Sequence, residues 1–248
     1  MTSNNALISG LVGGALRKTK EEGMMVSRTD ASRALFLRPS QLPYCALREF
    51  FKLPSYLSHS SSNDFSMSFY TRVGTAVHTV MQETLANALS KGNGQMFTLN
   101  DWVCRKCKHR HVLKRVIRSC RKCGHKFLFA DEHLIDLPWL RGHIDTILVN
   151  DDVAVIIDWK TTSSKQVASK KGTETSYRTQ IGTYCTVMKP VLAAMGIDLI
   201  GWALVYVARD NFAHQVVAGE DFVPMKQLKE WSRQHQRLLS LSTADEAT

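Results

Sequence analysis

At 248 residues, 44% apolar and 22% charged, the chain has the composition of an ordinary globular protein, with the length for one substantial core plus an insertion or for two small domains. Its net charge of +10 is not ordinary and favours a polyanionic partner over a neutral or acidic one. Four of its six cysteines fall in two CxxC pairs, which fits a reducing compartment and argues against a disulfide framework, while the apolar stretch Ala6 to Leu16 is too short to span a bilayer and lacks the basic start of a signal peptide. A soluble, cytoplasmic protein with no membrane partner is expected.

In chain order, residues 1–64 read as an N-terminal helical and linker segment. Ser40 is an N-cap for a helix whose apolar stripe includes Leu42, Cys45, Phe50 and Phe51, and Ser58 to Ser62 reads as a flexible link. Cys45 is expected to be a small buried apolar residue. From Phe65 to Lys91 the spacing of Phe69, Val73, Val77, Val80 and Leu85 predicts a helix. It carries Gly74 and, one turn on, His78. Gly74 would let the backbone approach a sheet closely or leave room for His78 to reach a metal, and Glu83 sits offset around the same helix.

Lys91-Gly92-Asn93-Gly94 ends that helix, and residues 98–126 read as a zinc-ribbon-like insertion. Cys104-Arg-Lys-Cys107 and Cys120-Arg-Lys-Cys123 each present two thiolates from one tight turn, and two such turns complete a tetrahedron. Cys104, Cys107, Cys120 and Cys123 are therefore expected to hold a structural Zn2+, with His109, His111 or His125 as substitute ligands, and Gly124 supplies a turn. Between Cys104 and Lys126 there are ten Lys or Arg residues and no acid. Such density points to phosphate-backbone contact through Arg105, Lys106, Arg121 and Lys122 among others. A protein-docking role for the same module is the alternative.

The stretch Arg141 to Thr162 reads as a hairpin. Ile144 to Val149 alternates, Asn150-Asp151-Asp152 turns, and Val153 to Ile157 returns as a buried strand. Pairing would bring Asp145 near Asp158 and Lys160, which share a face because strand side chains repeat every two residues. Two converging carboxylates need a cation, and oxygen donors favour Mg2+ or Mn2+. Ser163 to Gly172 follows as a polar loop with Lys165, Lys170 and Lys171, and Thr175 to Met188 as a helix with Gln180 and Tyr184 one turn apart. Then come strands over Leu199 to Ala208 and Phe212 to Val217, an amphipathic helix over Met225 to Leu241 with Trp231 and Leu238 facing inward, and a frayed tail over 242–248.

These segments together resemble the PD-(D/E)xK nuclease superfamily, closest to its RecB-like and Cas4-like branch. Gly74-Thr75-Ala76-Val77-His78 is similar to the branch's GxxxH, Gly142-His143-Ile144-Asp145 to its GxxD, Asp158-Trp159-Lys160 to its (D/E)xK, and Gln180 to Tyr184 to its QxxxY. The four occur in the family's order. The iron–sulfur cluster of some relatives is not expected, because no cysteine follows Cys185. The resemblance implies an α/β, restriction-endonuclease-like core over 65–97 and 127–241, with a central mixed sheet flanked by helices. It also implies a metal-dependent DNA nuclease with Asp145, Asp158 and Lys160 catalytic, and with His78, Asp145, Asp158 and the Trp159 carbonyl on Mg2+ or Mn2+. Gln180 and Tyr184 would meet the DNA backbone. A DNA-end-processing exonuclease of recombination, repair or phage metabolism, with a helicase or recombination protein as partner, is the leading expectation. An endonuclease, or a non-catalytic binding protein on a nuclease scaffold, is the alternative.

Overall fold

The computed structural model describes residues 65–90, 95–126, 128–169, 175–209, 211 and 213–245. The expectations for Ser40, Cys45 and the serine run, for Lys170 and Lys171, for the end of the tail, and for the side chains of Glu83 and Leu238 fall outside what is described.

Helix α1 (Phe65–Ser90) leads into strands β1 (Met96–Cys104), β2 (Arg110–Lys114), β3 (Leu128–Asp131), β4 (His133–Asp136), β5 (Arg141–Ile144), β6 (Thr146–Asn150) and β7 (Val153–Thr162). Helices α2 (Ser164–Ser169) and α3 (Thr175–Ala193), strands β8 (Asp198–Ala208) and β9 (His214–Gly219), and helix α4 (Met225–Asp245) complete the order. A mixed sheet runs β2-β1-β6-β7-β8-β9, with β3 also paired to β1. Within it β7 and β8 are parallel while β6/β7 and β8/β9 are antiparallel.

Strand β7 is apolar through most of its length because both sheet faces are covered. Alternation divides it cleanly. Ala154 and Ile156 face the larger core, with Trp202, Leu204 and Tyr206 of β8, Ile181, Met188 and Leu192 of α3, and Leu228 of α4. Ile157 and Trp159 face the other way, with Ala203, Val205 and Val207, and receive Val77, Met81 and Leu85 of α1. The expected architecture, a mixed sheet flanked by helices, is the one found.

Three local readings differ from expectation. The first strand of the supposed hairpin breaks at Asp145: β5 pairs with β4 in a separate two-stranded sheet, and only β6 pairs with β7. The β4–β5 connection is Leu137 to Leu140, closed by reciprocal backbone bonds between Leu137 and Leu140 around Pro138. Ser164–Ser169 is helical rather than loop, its Val167 buried in the larger core. Finally, β1 runs across position 98, where the insertion was expected to begin. Its first half pairs with β6 from Met96 to Leu99, and its second half with both β2 and β3, so one continuous strand joins the main sheet to the four-cysteine module.

Gly74 marks where α1 crosses β7. A Cβ there would stand 3.2 Å from Thr161 Oγ1, a contact that a hydroxyl can relieve by turning but that a branched side chain cannot avoid. Gly74→Ala should therefore be close to neutral, since the crowding is offset by a gain in helix propensity of roughly 1 kcal/mol. Gly74→Val should lift α1 and destabilise the fold by about 1–3 kcal/mol. Urea denaturation of the two variants beside wild type checks both signs.

Candidate active site and four-cysteine cluster

Asp145 lies at the break between β5 and β6, 6% exposed, and belongs to two registers at once. The β6/β7 pairing matches Thr146 with Ile157, so one step further Asp145 stands opposite Asp158. The β4/β5 pairing matches His133 with Ile144, so one step beyond that hairpin's open end Asp145 stands opposite Glu132. Its Oδ2 accepts the Trp159 backbone N–H at 2.7 Å and lies 3.3 Å from His78 Nδ1. The Trp159 indole is buried against α1 and donates to Thr146 Oγ1 at 3.2 Å.

His78, Glu132 and Asp145 each turn one donor atom into a space in which all three lie within 4.8 Å of one another. One imidazole nitrogen and two carboxylate oxygens form a donor set suited to Mg2+ or, with its nitrogen, Mn2+. The electrostatics of the site favour the protonated forms of Glu132 and His78. Burial, with the Asp145 charge behind it, pushes the Glu132 carboxyl up to about 7. Burial tends to discharge His78, yet the hydrogen bond and charge of Asp145 outweigh it and raise its pKa. Glu132 was not anticipated from the sequence. The signal was a proline-bearing link, Leu137 to Leu140, between two short alternating segments that make a hairpin of their own.

Asp158 does not join these three donors. It is 3% exposed, and its Oδ2 lies 2.6 Å from Lys160 Nζ. Burial first, and Asp145 in addition, raise its pKa to about 6 against the opposing pull of Lys160. Burial also works against a charged Lys160, but Asp158 and Asp145 prevail and hold its pKa above the ordinary lysine value. The ammonium lies 3.4 Å from Gln180 Oε1 and 4.7 Å from the centre of the Tyr177 ring. Gln180 Nε2 in turn lies 3.3 Å from Tyr184 Oη. Tyr184 is 3% exposed, and its hydroxyl contacts Gln180, which in turn contacts Lys160. Lys165 is exposed on α2.

The four cysteines also converge, and the two turns that present them are alike. Cys104 N–H donates to the His109 carbonyl and Cys120 N–H to the His125 carbonyl, while Lys108 and Gly124, each one residue after a second cysteine, take left-handed φ of 57° and 69°. Sγ atoms stand 3.6 Å apart between Cys104 and Cys123 and between Cys107 and Cys120. A tetrahedral zinc with Zn–S bonds of about 2.3 Å sets its sulfurs about 3.8 Å apart, so the cluster fits that ion closely. Arg105, Lys106, Arg121 and Lys122 are all exposed around it. Of the ten cations counted there, Arg110 points inward, and Arg115 lies 3.4 Å above the Phe97 ring.

Residues 45–247 match the PD-(D/E)XK nuclease superfamily. The chain belongs to that superfamily. Its members use divalent metal ions, and the donor set of His78, Glu132 and Asp145 beside Lys160 is consistent with membership. No curated protein matches the chain. A crystal structure of SSO0001 is similar at 14% identity, over 88% of this chain and 86% of that one, with a TM-score of 0.41. No helix among the described residues is long and apolar enough to cross a membrane.

The raised carboxyl values carry a consequence for this nuclease-superfamily site. An acid whose folded pKa exceeds its unfolded one binds more protons when folded, so stability is fully present below the unfolded value and declines as pH rises through the folded one. For Glu132 and Asp158 that window runs from roughly 4 to 7. A cation bound by deprotonated donors should restore what is lost. Thermal melts are therefore expected to show a larger upward shift with Mn2+ at pH 8 than at pH 5.5, and an equal or smaller shift at pH 8 would contradict this charge balance.

Proposed function

We propose that the protein is a divalent-metal-dependent deoxyribonuclease of the RecB-like and Cas4-like branch, acting on DNA ends in recombination, repair or phage DNA metabolism. The observation that carries this reading is the three-donor cluster of His78, Glu132 and Asp145 standing beside the buried Asp158–Lys160 pair. These residues would hold Mg2+ or Mn2+, with the Trp159 carbonyl as a further oxygen and Asp158 joining once Lys160 releases it. When bound there, the ion supplies Lewis-acid polarisation of the scissile phosphoryl group and acidifies water.

The chain's own groups supply the rest. Lys160 holds its ammonium at the edge of the donor cluster, where it orients the attacking water and offsets the charge that develops on the phosphoryl oxygens. Gln180, braced by Tyr184, gives that ammonium a second, longer contact beside its 2.6 Å pair with Asp158. His78 stays fixed because Gly74 lets α1 approach β7. The four-cysteine module carries Zn2+ in a closed, structural site, and Arg105, Lys106, Arg121 and Lys122, with Lys165, Lys170 and Lys171 beyond β7, contact the phosphate backbone. The basic charge of the whole chain supports DNA as the substrate.

End-labelled linear DNA and covalently closed circular DNA, incubated with Mn2+, Mg2+ or EDTA, test the assignment. The expected result is metal-dependent loss of the linear substrate alone, reduced at least about 100-fold by Lys160→Ala or Asp145→Asn, the scale on which removal of one transition-state contact acts. Cutting of the circle would assign an endonuclease instead. Binding without cleavage under every metal condition would favour a nuclease scaffold used for assembly.

A further inference from the structure

Glu132 has no strand of its own: it is the single residue between the end of β3 and the start of β4. Something must nevertheless aim its carboxylate at His78 and Asp145. The surrounding hydrogen bonds identify what does. Asp131 Oδ1 accepts the Glu132 backbone N–H at 3.0 Å. Arg110 Nη1 donates to the Glu132 carbonyl at 3.2 Å and to Asp101 Oδ2 at 2.9 Å, while Arg110 Nη2 donates to Asp131 Oδ2 at 2.5 Å. Asp101 is fully buried, and its other oxygen pairs with His133 Nδ1 at 2.9 Å and accepts the Leu113 N–H at 3.1 Å. The peptide of Glu132 is thus held at both ends, and both neighbouring side chains are held as well.

All of these bonds lead to the four-cysteine module. Arg110 follows directly on His109, whose carbonyl closes the first cysteine turn through the Cys104 N–H. Asp101 lies on the half of β1 that pairs with β2 and β3, three residues before Cys104. One guanidinium therefore ties a turn of the module to the residue that turns a carboxylate toward His78 and Asp145. A planar fork can bridge two carboxylates and a carbonyl at once, and a lysine ammonium cannot reproduce that geometry.

Resting on the metal-site reading above, we propose that Arg110 is a positioning residue for Glu132, and that the four-cysteine module serves the active site by setting the affinity of the His78–Glu132–Asp145 cluster for its divalent cation. The module is then a strut of the catalytic centre as well as a basic surface. Because coupling between two sites is reciprocal, an intact cysteine cluster and an occupied divalent site stabilise one another through this guanidinium.

The test is calorimetric titration of the zinc-loaded full-length protein with Mn2+, in wild type, Arg110→Ala, Arg110→Lys, Ile117→Ala and Glu132→Gln. Loss of a group that orients a metal ligand costs about 10- to 100-fold in metal affinity. That loss is expected for Arg110→Ala, with Arg110→Lys recovering only part of it. Ile117→Ala trims a side chain packed near Trp102 and Ala130 without removing a contact to Glu132, and should stay within about 2-fold of wild type. Wild-type affinity in Arg110→Ala, or equal weakening in Ile117→Ala, would overturn the proposal. Should Arg110→Ala fail to fold, Asp131→Asn removes one end of the bridge, and unchanged affinity there overturns it equally. If Glu132→Gln weakens Mn2+ but the Arg110 variants do not, only the strut fails. If wild type does not bind Mn2+, or Glu132→Gln leaves binding unchanged, the metal-site reading itself fails and the strut with it.

Discussion

The carboxylate of Asp145 is the point on which the structure turns. It terminates two antiparallel ladders, one toward Glu132 and one toward Asp158, and the Trp159 amide that it accepts would otherwise be a buried donor at the end of the β6/β7 pairing. The chain passes from one sheet to the other at this residue, which leaves one acid opposite both, and His78 of α1 lies against the same oxygen.

Packing supplies the precision. Alternation along β7 sends Ile157 and Trp159 to α1 and Ala154 and Ile156 to α3, so the two helices that carry His78 and Gln180 are clamped from opposite sides of one strand. The charges then work against the fold. Burial raises the pKa of Glu132 and Asp158, and Lys160, paired with Asp158, opposes part of the shift there. A cluster of this kind is poised for a cation: carboxylates that are costly alone become favourable ligands once a divalent charge lies among them. The same reasoning applies to the four sulfurs, which all lie within 4.8 Å of one another.

Much of this was legible in the sequence, and the rest was hidden for physical reasons. The four cysteines, Asp158 with Lys160, and the Gln180–Tyr184 pair are local patterns whose spacing alone sets their geometry. The placement of Asp145 opposite Asp158 followed from the turn at Asp151 and Asp152. Glu132 was missed although the link Leu137 to Leu140 marks a hairpin, because neither the register that sets it opposite Asp145 nor the Asp101–Arg110 bridge that holds it belongs to a spacing motif. The burial of Tyr184 was hidden because helix spacing tells which residues share a face but not how deeply a neighbouring strand covers them. Basic density around the cysteines misled in one detail: Arg110 contributes to the count but points inward to two carboxylates.

The central claim, that His78, Glu132 and Asp145 form one divalent-cation site, is tested most directly by anomalous diffraction from crystals of the protein soaked in Mn2+. The account predicts an anomalous peak at ligand distance, about 2.2 Å, from an imidazole nitrogen of His78 and from oxygens of Glu132 and Asp145. A peak elsewhere with these three side chains unligated, or none at saturating Mn2+, would contradict it.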